Sequence, residues 1–290
     1  MSQPFTRFQG TDRYLSNESL ESAVNCALVL ERPLLIRGEP GTGKTLLAEA
    51  VSEALGMKLI RWNVKSTTRA QDGLYVYDTV QRLYDSRFQD KDVSDIENYI
   101  ELGPMGKAFD ADERVVLLID EIDRADEEFE GFLLELLSDF QITIPELGTF
   151  RAEEPPVVVI TSNRTREVHD ALKRRCLYFW IDYPDFQKEL QIVTTKVPEA
   201  SRKLAQQVTS FVQELRAAEL YKVAGVAETL DWTAALVALN QEELDPAIID
   251  DTLGIMLKYH EDIEAVRGEP VRAMLNRARN RGTRRGGARG

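Results

Sequence analysis

The run Leu34-Leu35-Ile36-Arg37-Gly38-Glu39-Pro40-Gly41-Thr42-Gly43-Lys44-Thr45-Leu46-Leu47-Ala48-Glu49-Ala50 limits the fold of this chain more than any other stretch. An apolar segment of strand character meets a glycine-rich loop, and helical spacing begins at once. The loop fits G-x-x-x-x-G-K-[ST], with Gly38, Gly43, Lys44 and Thr45 in the fixed positions. Glycine tolerates the positive φ angles that turn successive backbone N–H groups towards one point. Those amides and the positive end of the next helix dipole form a seat for phosphate. The residues from Gly38 to Leu46 are therefore the expected nucleotide-binding loop. Lys44 should reach the β- and γ-phosphates, and the Thr45 hydroxyl should ligate Mg²⁺.

The 290 residues suffice for one large or two modest domains. Apolar residues at 43% and charged residues at 29% describe a soluble globular protein. No apolar run approaches the roughly 18 residues of a membrane span. Met1-Ser2-Gln3-Pro4-Phe5 lacks the basic-then-apolar layout of a secretion signal. Cys26 and Cys176 give neither a disulfide framework nor a zinc spacing. Each thiol reads as buried packing, and a reducing cytoplasm is the expected compartment. A formal charge of −13 argues against broad binding to nucleic acid, which needs a basic face. Arg272, Arg277, Arg279, Arg281, Arg284, Arg285 and Arg289 crowd a glycine-containing tail in which no apolar period is read. It reads as a solvated disordered end or as a tether for an acidic partner or nucleic acid.

Along the chain, residues 16–30 carry Leu20, Val24, Ala27 and Leu28 at helical spacing, with Ser16, Ser19 and Glu21 offering caps. Strands are expected at 34–37, 59–63, 115–119, 157–161 and 177–181, with a helix at 45–55 closed by Gly56. Residues 70–78 read as a turn-and-strand excursion, turning at Asp72-Gly73. Its Leu74, Tyr75 and Tyr77 suit either a surface loop or a contact with a partner. A helix at 127–140 precedes a hairpin at 141–151, turning at Pro145-Glu146-Leu147-Gly148. After Tyr183-Pro184-Asp185 only helical periods remain. The expected layout is an α/β domain over 1–184, a helical lid over 185–267 and an arginine- and glycine-rich tail over 268–290.

Asp120 and Glu121 end the apolar strand at 115–119, where ligands of open α/β sheets bind. There an Asp can hold Mg²⁺ and the adjacent Glu can deprotonate an attacking water. Asn163, ending the next strand, is either a polar group that positions this water or a turn former. Arg174 and Arg175 are either surface charges or fingers reaching a neighbouring subunit's γ-phosphate. His169 has no ligand set around it.

The order of these features resembles that of AAA+ ATPases. More narrowly, Gly38-Glu39-Pro40-Gly41-Thr42-Gly43-Lys44-Thr45, Leu118-Ile119-Asp120-Glu121-Ile122-Asp123-Arg124-Ala125 and Ile160-Thr161-Ser162-Asn163 resemble the MoxR family, its CoxD-like branch especially. The resemblance spans roughly residues 12–266. It implies a five-stranded parallel sheet with flanking helices, a C-terminal all-α lid and a ring, usually hexameric, with ATP between subunits. It also implies that 141–151 is the pre-sensor-1 hairpin, that the Gly73 region is the helix-2 insertion, and that both face the pore or one face of the ring. Asn163 becomes sensor 1 and Arg175 the arginine finger, with Arg174 as second choice. The stretch Gly225-Val226-Ala227-Glu228-Thr229-Leu230-Asp231-Trp232 departs from the family by lacking a sensor-2 arginine, Lys222 being the nearest cation in sequence. The leading functional expectation is an ATP hydrolase that remodels a protein client; the MoxR resemblance implies that this serves metal-cofactor insertion or complex assembly, with a von Willebrand factor A-domain protein as partner. A nucleotide-gated scaffold with little turnover and a nucleic-acid motor are the alternatives.

Overall fold

The computed structural model describes residues 6–89, 92–144, 148–163 and 165–286. The N-terminal stretch 1–5, the hairpin turn at 145–147 and Arg289, all read from sequence above, lie outside the described residues. The chain divides into two units between Ile181 and Asp182, and residues 39–43 group with the second.

The first unit begins with α1 (Glu18–Leu30), β1 (Leu34–Gly38), α2 (Lys44–Leu55) and β2 (Leu59–Asn63). Asn17 rather than Ser16 caps α1: its side chain accepts the Leu20 N–H, while the Ser16 hydroxyl donates to Glu21. An excursion follows, comprising β3 (Tyr75–Tyr77), α3 (Thr79–Phe88), β4 (Ile100–Leu102) and α4 (Pro104–Phe109). The unit continues with β5 (Val116–Asp120), α5 (Glu127–Asp139), the hairpin strands β6 (Gln141–Ile144) and β7 (Gly148–Arg151), β8 (Val157–Ser162), α6 (Asp170–Arg175) and β9 (Leu177–Ile181).

Five strands form a parallel sheet in the order β2-β5-β8-β1-β9. The three inner strands β5, β8 and β1 are buried nearly throughout because both faces are covered, whereas the edge strands β2 and β9 are partly exposed. Leu35, Leu117, Ile119, Val158 and Ile160 enter one core with Phe129 and Leu133 of α5. Leu34, Ile36, Val116, Leu118 and Val159 enter the other with Leu20 and Val24 of α1 and Leu47 and Val51 of α2. Strand residues alternate faces, so one sequence run feeds two cores.

In the excursion, β3 pairs antiparallel with β4, a three-residue strand too short to leave a sequence period. Leu74 and Tyr75 are buried in the same core as Trp62, so these two residues belong neither to an exposed surface loop nor to a partner contact. The exposed apolar residues here are Val76, Val80, Leu83, Tyr84 and Phe88. Cys176 is buried as expected, but Cys26 is exposed, because it lies off the stripe of α1 formed by Leu20, Val24, Ala27 and Leu28.

The second unit comprises α7 (Phe186–Lys196), α8 (Arg202–Arg216), α9 (Val226–Ala238), α10 (Pro246–Met256), α11 (His260–Val266) and α12 (Glu269–Gly286). Asp185, Ser201 and Asp245 cap α7, α8 and α10 through side-chain acceptors, each satisfying an N–H that a helix start leaves unpaired. Leu204, Val208, Phe211 and Leu215 of α8 pack with Trp232 and Leu236 of α9 and with Ile249 and Leu253 of α10. Helix α12 replaces the first part of the expected disordered tail. Its Val271, Met274, Leu275 and Ala278 lie at i, i+3, i+4 and i+7 and are buried in this core. Arg272 pairs with Glu269 inside α12 at 3.5 Å, and Arg277 and Arg279 bond outside the helix. Arg277 Nε meets Glu214 Oε2 at 2.7 Å, and Arg279 Nη2 donates to the Leu244 carbonyl at 2.6 Å.

Candidate active site

Parallel strands in register end side by side, which brings the loops after β1, β5 and β8 together. Asn63 lies level with Asp120, Ile119 with Ile160, and Arg37 with Ser162. After β1 the chain can bend only through glycine. A Cβ on Gly38 would stand 2.3 Å from the Ile181 carbonyl oxygen, and Gly41 and Gly43 have φ of 74° and 87°. Glu39 and Pro40 are half-buried, the Thr42 hydroxyl donates to the Glu39 carbonyl at 2.8 Å, and Leu46 is exposed. Lys44, 5% exposed, opens α2 and folds its ammonium back to the Gly38 carbonyl at 3.0 Å. Within the second unit, the Val226 and Ala227 amides at the start of α9 donate to the Gly41 carbonyl at 3.1 and 3.3 Å.

Opposite the start of α2, Thr45 Oγ1 lies 3.1 Å from both carboxylate oxygens of Asp120. The Thr161 hydroxyl donates to Asp120 and accepts the Glu121 N–H at 2.9 Å. Thr161 is a site residue that the sequence reading missed. The available signal was strand alternation, which puts Thr161 on the same face as Asn163. Glu121 occupies the left-handed region, φ 61° and ψ 48°, where a non-glycine residue is uncommon. Its Oε1 accepts from Asn163 Nδ2 at 3.0 Å and its Oε2 pairs with Arg124 Nε at 2.9 Å.

Arg174 and Arg175 end α6 with exposed side chains, and neither is bonded to Asp120 or Glu121 among the described residues. Arg32 pins their carbonyls, Nη2 to Arg174 at 2.6 Å and Nε to Arg175 at 3.0 Å. His169 caps α6, its Nδ1 accepting the Ala171 N–H at 3.2 Å. Lys222, exposed, has its amide on Asp262. Among the described residues, Arg216 bonds the 225–232 stretch, with Nη2 3.3 Å from Thr229 Oγ1, and its Nε lies 2.7 Å from the carbonyl of the preceding Ala224. Its guanidinium is committed inward to Glu189 through two bonds of 2.7 Å.

Two groups of the α/β unit outside the bonded cluster have shifted pKa values. The Arg37 bond and then Lys173 hold Glu167 down at about 2. Burial pushes the Cys176 thiol up to about 12, which removes it as a nucleophile. Among the described residues no group of three His, Cys, Asp or Glu side chains is placed to hold a metal. The Thr45–Asp120 oxygen pair fits a different kind of ion: Mg²⁺ takes one or two protein oxygens and completes its shell from phosphates and water.

A family model described as the ATPase family associated with various cellular activities (AAA) matches residues 34–181, just over half of the chain. No curated protein matches the sequence. A point mutant of RuvB from Thermotoga maritima aligns over 87% of this chain and 73% of its own at 18% identity, with a TM-score of 0.53. The RuvB Holliday junction branch migration motor of Thermotoga maritima aligns over 81% and 74% at 19% identity, with a TM-score of 0.41. The first likeness concerns the fold: a parallel five-stranded sheet with flanking helices, followed by a helical region.

Proposed function

The chain belongs to the AAA family, and from that premise we propose that it binds ATP with Mg²⁺ and hydrolyses the ATP to ADP and phosphate. In this reading it works as a ring, hexameric in the MoxR manner, and uses turnover to remodel a protein client. The observation that supports hydrolysis is one bonded cluster drawn from separate elements: Thr45 on Asp120, Thr161 on Asp120 and Glu121, and Asn163 on Glu121.

Lys44 neutralises phosphate oxygens as a point charge. Thr45 and Asp120 would hold Mg²⁺, which would supply further neutralisation of the phosphate charge. Glu121 takes the proton of the attacking water, and Asn163 keeps that carboxylate aimed. Arg175, with Arg174 as second choice, serves the γ-phosphate of a neighbouring copy, a role that suits side chains exposed at the end of α6. The β6–β7 hairpin and the excursion carrying α3 are the surfaces offered to the client, and a von Willebrand factor A-domain protein is the partner suggested by the MoxR resemblance.

Lys44→Ala should abolish binding of a fluorescent ATP analogue. Glu121→Gln should keep that binding while phosphate release falls by roughly a hundredfold or more. Unchanged turnover in Glu121→Gln would overturn the assignment. The absence of arginine in the 225–232 stretch favours the scaffold as a second reading. Hydrolysis that rises steeply with protein concentration excludes it. The nucleic-acid motor requires that DNA or RNA stimulate turnover.

A further inference from the structure

Asp123 is 5% exposed, and its carboxylate is filled by the segment that follows β8. Oδ1 accepts the Asn163 N–H at 3.0 Å. Oδ2 accepts the Thr165 N–H at 2.9 Å and the Thr165 hydroxyl. Burial raises its pKa, and the bonds from Thr165 and Asn163 outweigh burial to hold the carboxyl below its ordinary range.

The placement of these bonds matters more than their number. Asp123 stands two residues after Glu121 on one short helical turn, Ile122–Arg124. Glu121 takes the side-chain amide of Asn163 and Asp123 takes its backbone amide. The two bonds and the covalent link from Glu121 to Asp123 close a ring, so the Asn163 backbone and side chain are both referred to one rigid turn. A side-chain bond alone would leave the Asn163 backbone free to drift, and shifts of about 1 Å cost roughly a hundredfold in oriented catalysis. Farther along the segment, Glu130, fully buried, accepts the His169 N–H at 2.6 Å and pairs with Arg166. That second anchor secures the far end and leaves the near end to Asp123.

We propose that Asp123 is a positioning residue for hydrolysis, acting through Asn163 to hold the Glu121 carboxylate in its working orientation. The proposal rests on the ATPase reading above. Asp123→Asn keeps the shape but presents an amide donor to N–H groups that need an acceptor. In the full chain it should lower kcat roughly tenfold to a hundredfold while the Kd for a fluorescent ATP analogue stays within about threefold. Asn163→Ala should lower kcat by itself, and Asp123→Asn should add nothing further in that background, since a residue that acts through another has no independent effect. Losses that multiply in the double variant would show Asp123 to be structural and overturn the proposal, as would an equal loss of nucleotide binding. Thr165→Val, on an exposed residue, guards against a folding failure: it removes only the hydroxyl bond and should give a smaller kcat loss of the same kind. A wild-type kcat in Thr165→Val counts against the link. If Asn163→Ala turns over normally while Glu121→Gln is dead, ATP hydrolysis stands and the Asp123–Asn163 link falls. If Glu121→Gln turns over normally, the ATPase reading itself has failed.

Discussion

In the α/β unit, Lys44, Asp120, Glu121, Thr161 and Asn163 gather at the edge where the parallel strands end. In the helical unit, Glu189 and Arg216, 0% and 8% exposed at their side chains, are sealed among α7, α8 and α9, with the Arg216 guanidinium 4.7 Å over the Tyr183 ring and Thr229 bonded to both. Charges at a sheet edge are held by a few bonds and can exchange those bonds for a ligand. Charges sealed between helices are matched to each other and to polar groups of the same helices, and fix which helices meet. The first arrangement serves chemistry at little cost in stability, and the second serves architecture with no chemistry.

That contrast breaks if removing one sealed charge is harmless. Glu189→Ala leaves the Arg216 guanidinium buried without its carboxylate and should cost about 3–5 kcal/mol. Replacing both partners, Glu189→Leu with Arg216→Met, should recover most of the loss. Urea unfolding of a variant whose Trp62 and Trp180 are phenylalanine reads this cleanly, because the remaining Trp232 is fully buried in the helical core. Next in size is Leu275→Ala in α12, which opens a cavity in that core and should cost about 2–4 kcal/mol by the same readout. Thr161→Val tests the other side. It removes a donor to Asp120 and an acceptor for Glu121, so phosphate release should fall at least tenfold for a stability loss of only about 1 kcal/mol. The smallest effect belongs to Glu167, 73% exposed and paired with Arg37. Its pKa falls from an ordinary 4.5 to about 2, so the pair stabilises fully above pH 4.5 and loses that contribution as pH falls towards 2. Melting temperatures of wild type and Glu167→Gln should differ slightly at neutral pH and converge in acid.

The same contrast explains what could be read before the fold was known. The nucleotide loop is legible because its chemistry is confined to eight consecutive residues, Gly38 to Thr45, with glycines at fixed places. The central strands are legible because burial on both faces erases polar alternation. For Thr161, strand alternation marked only the face it shares with Asn163; nothing in a strand sequence marks a hydroxyl that will bridge Asp120 and the Glu121 amide. The Glu189–Arg216 pair joins residues 27 apart, beyond any helical period. Helix α12 went unread for a different reason. Its apolar positions keep perfect spacing, but arginines crowd between them and lower the mean hydropathy of the segment.

Burial of Val271, Met274, Leu275 and Ala278 also changes how this protein should be handled. Trimming the chain after Arg267 looks like the removal of a sticky, charged appendage. It would in fact strip one wall from the helical core and expose Leu204 and Phe211 to water, so that aggregation would follow and be mistaken for a loss of ligand binding. An affinity handle or a reporter belongs beyond the last turn of that helix, and a shortened chain should end no earlier than the last turn that still touches the core.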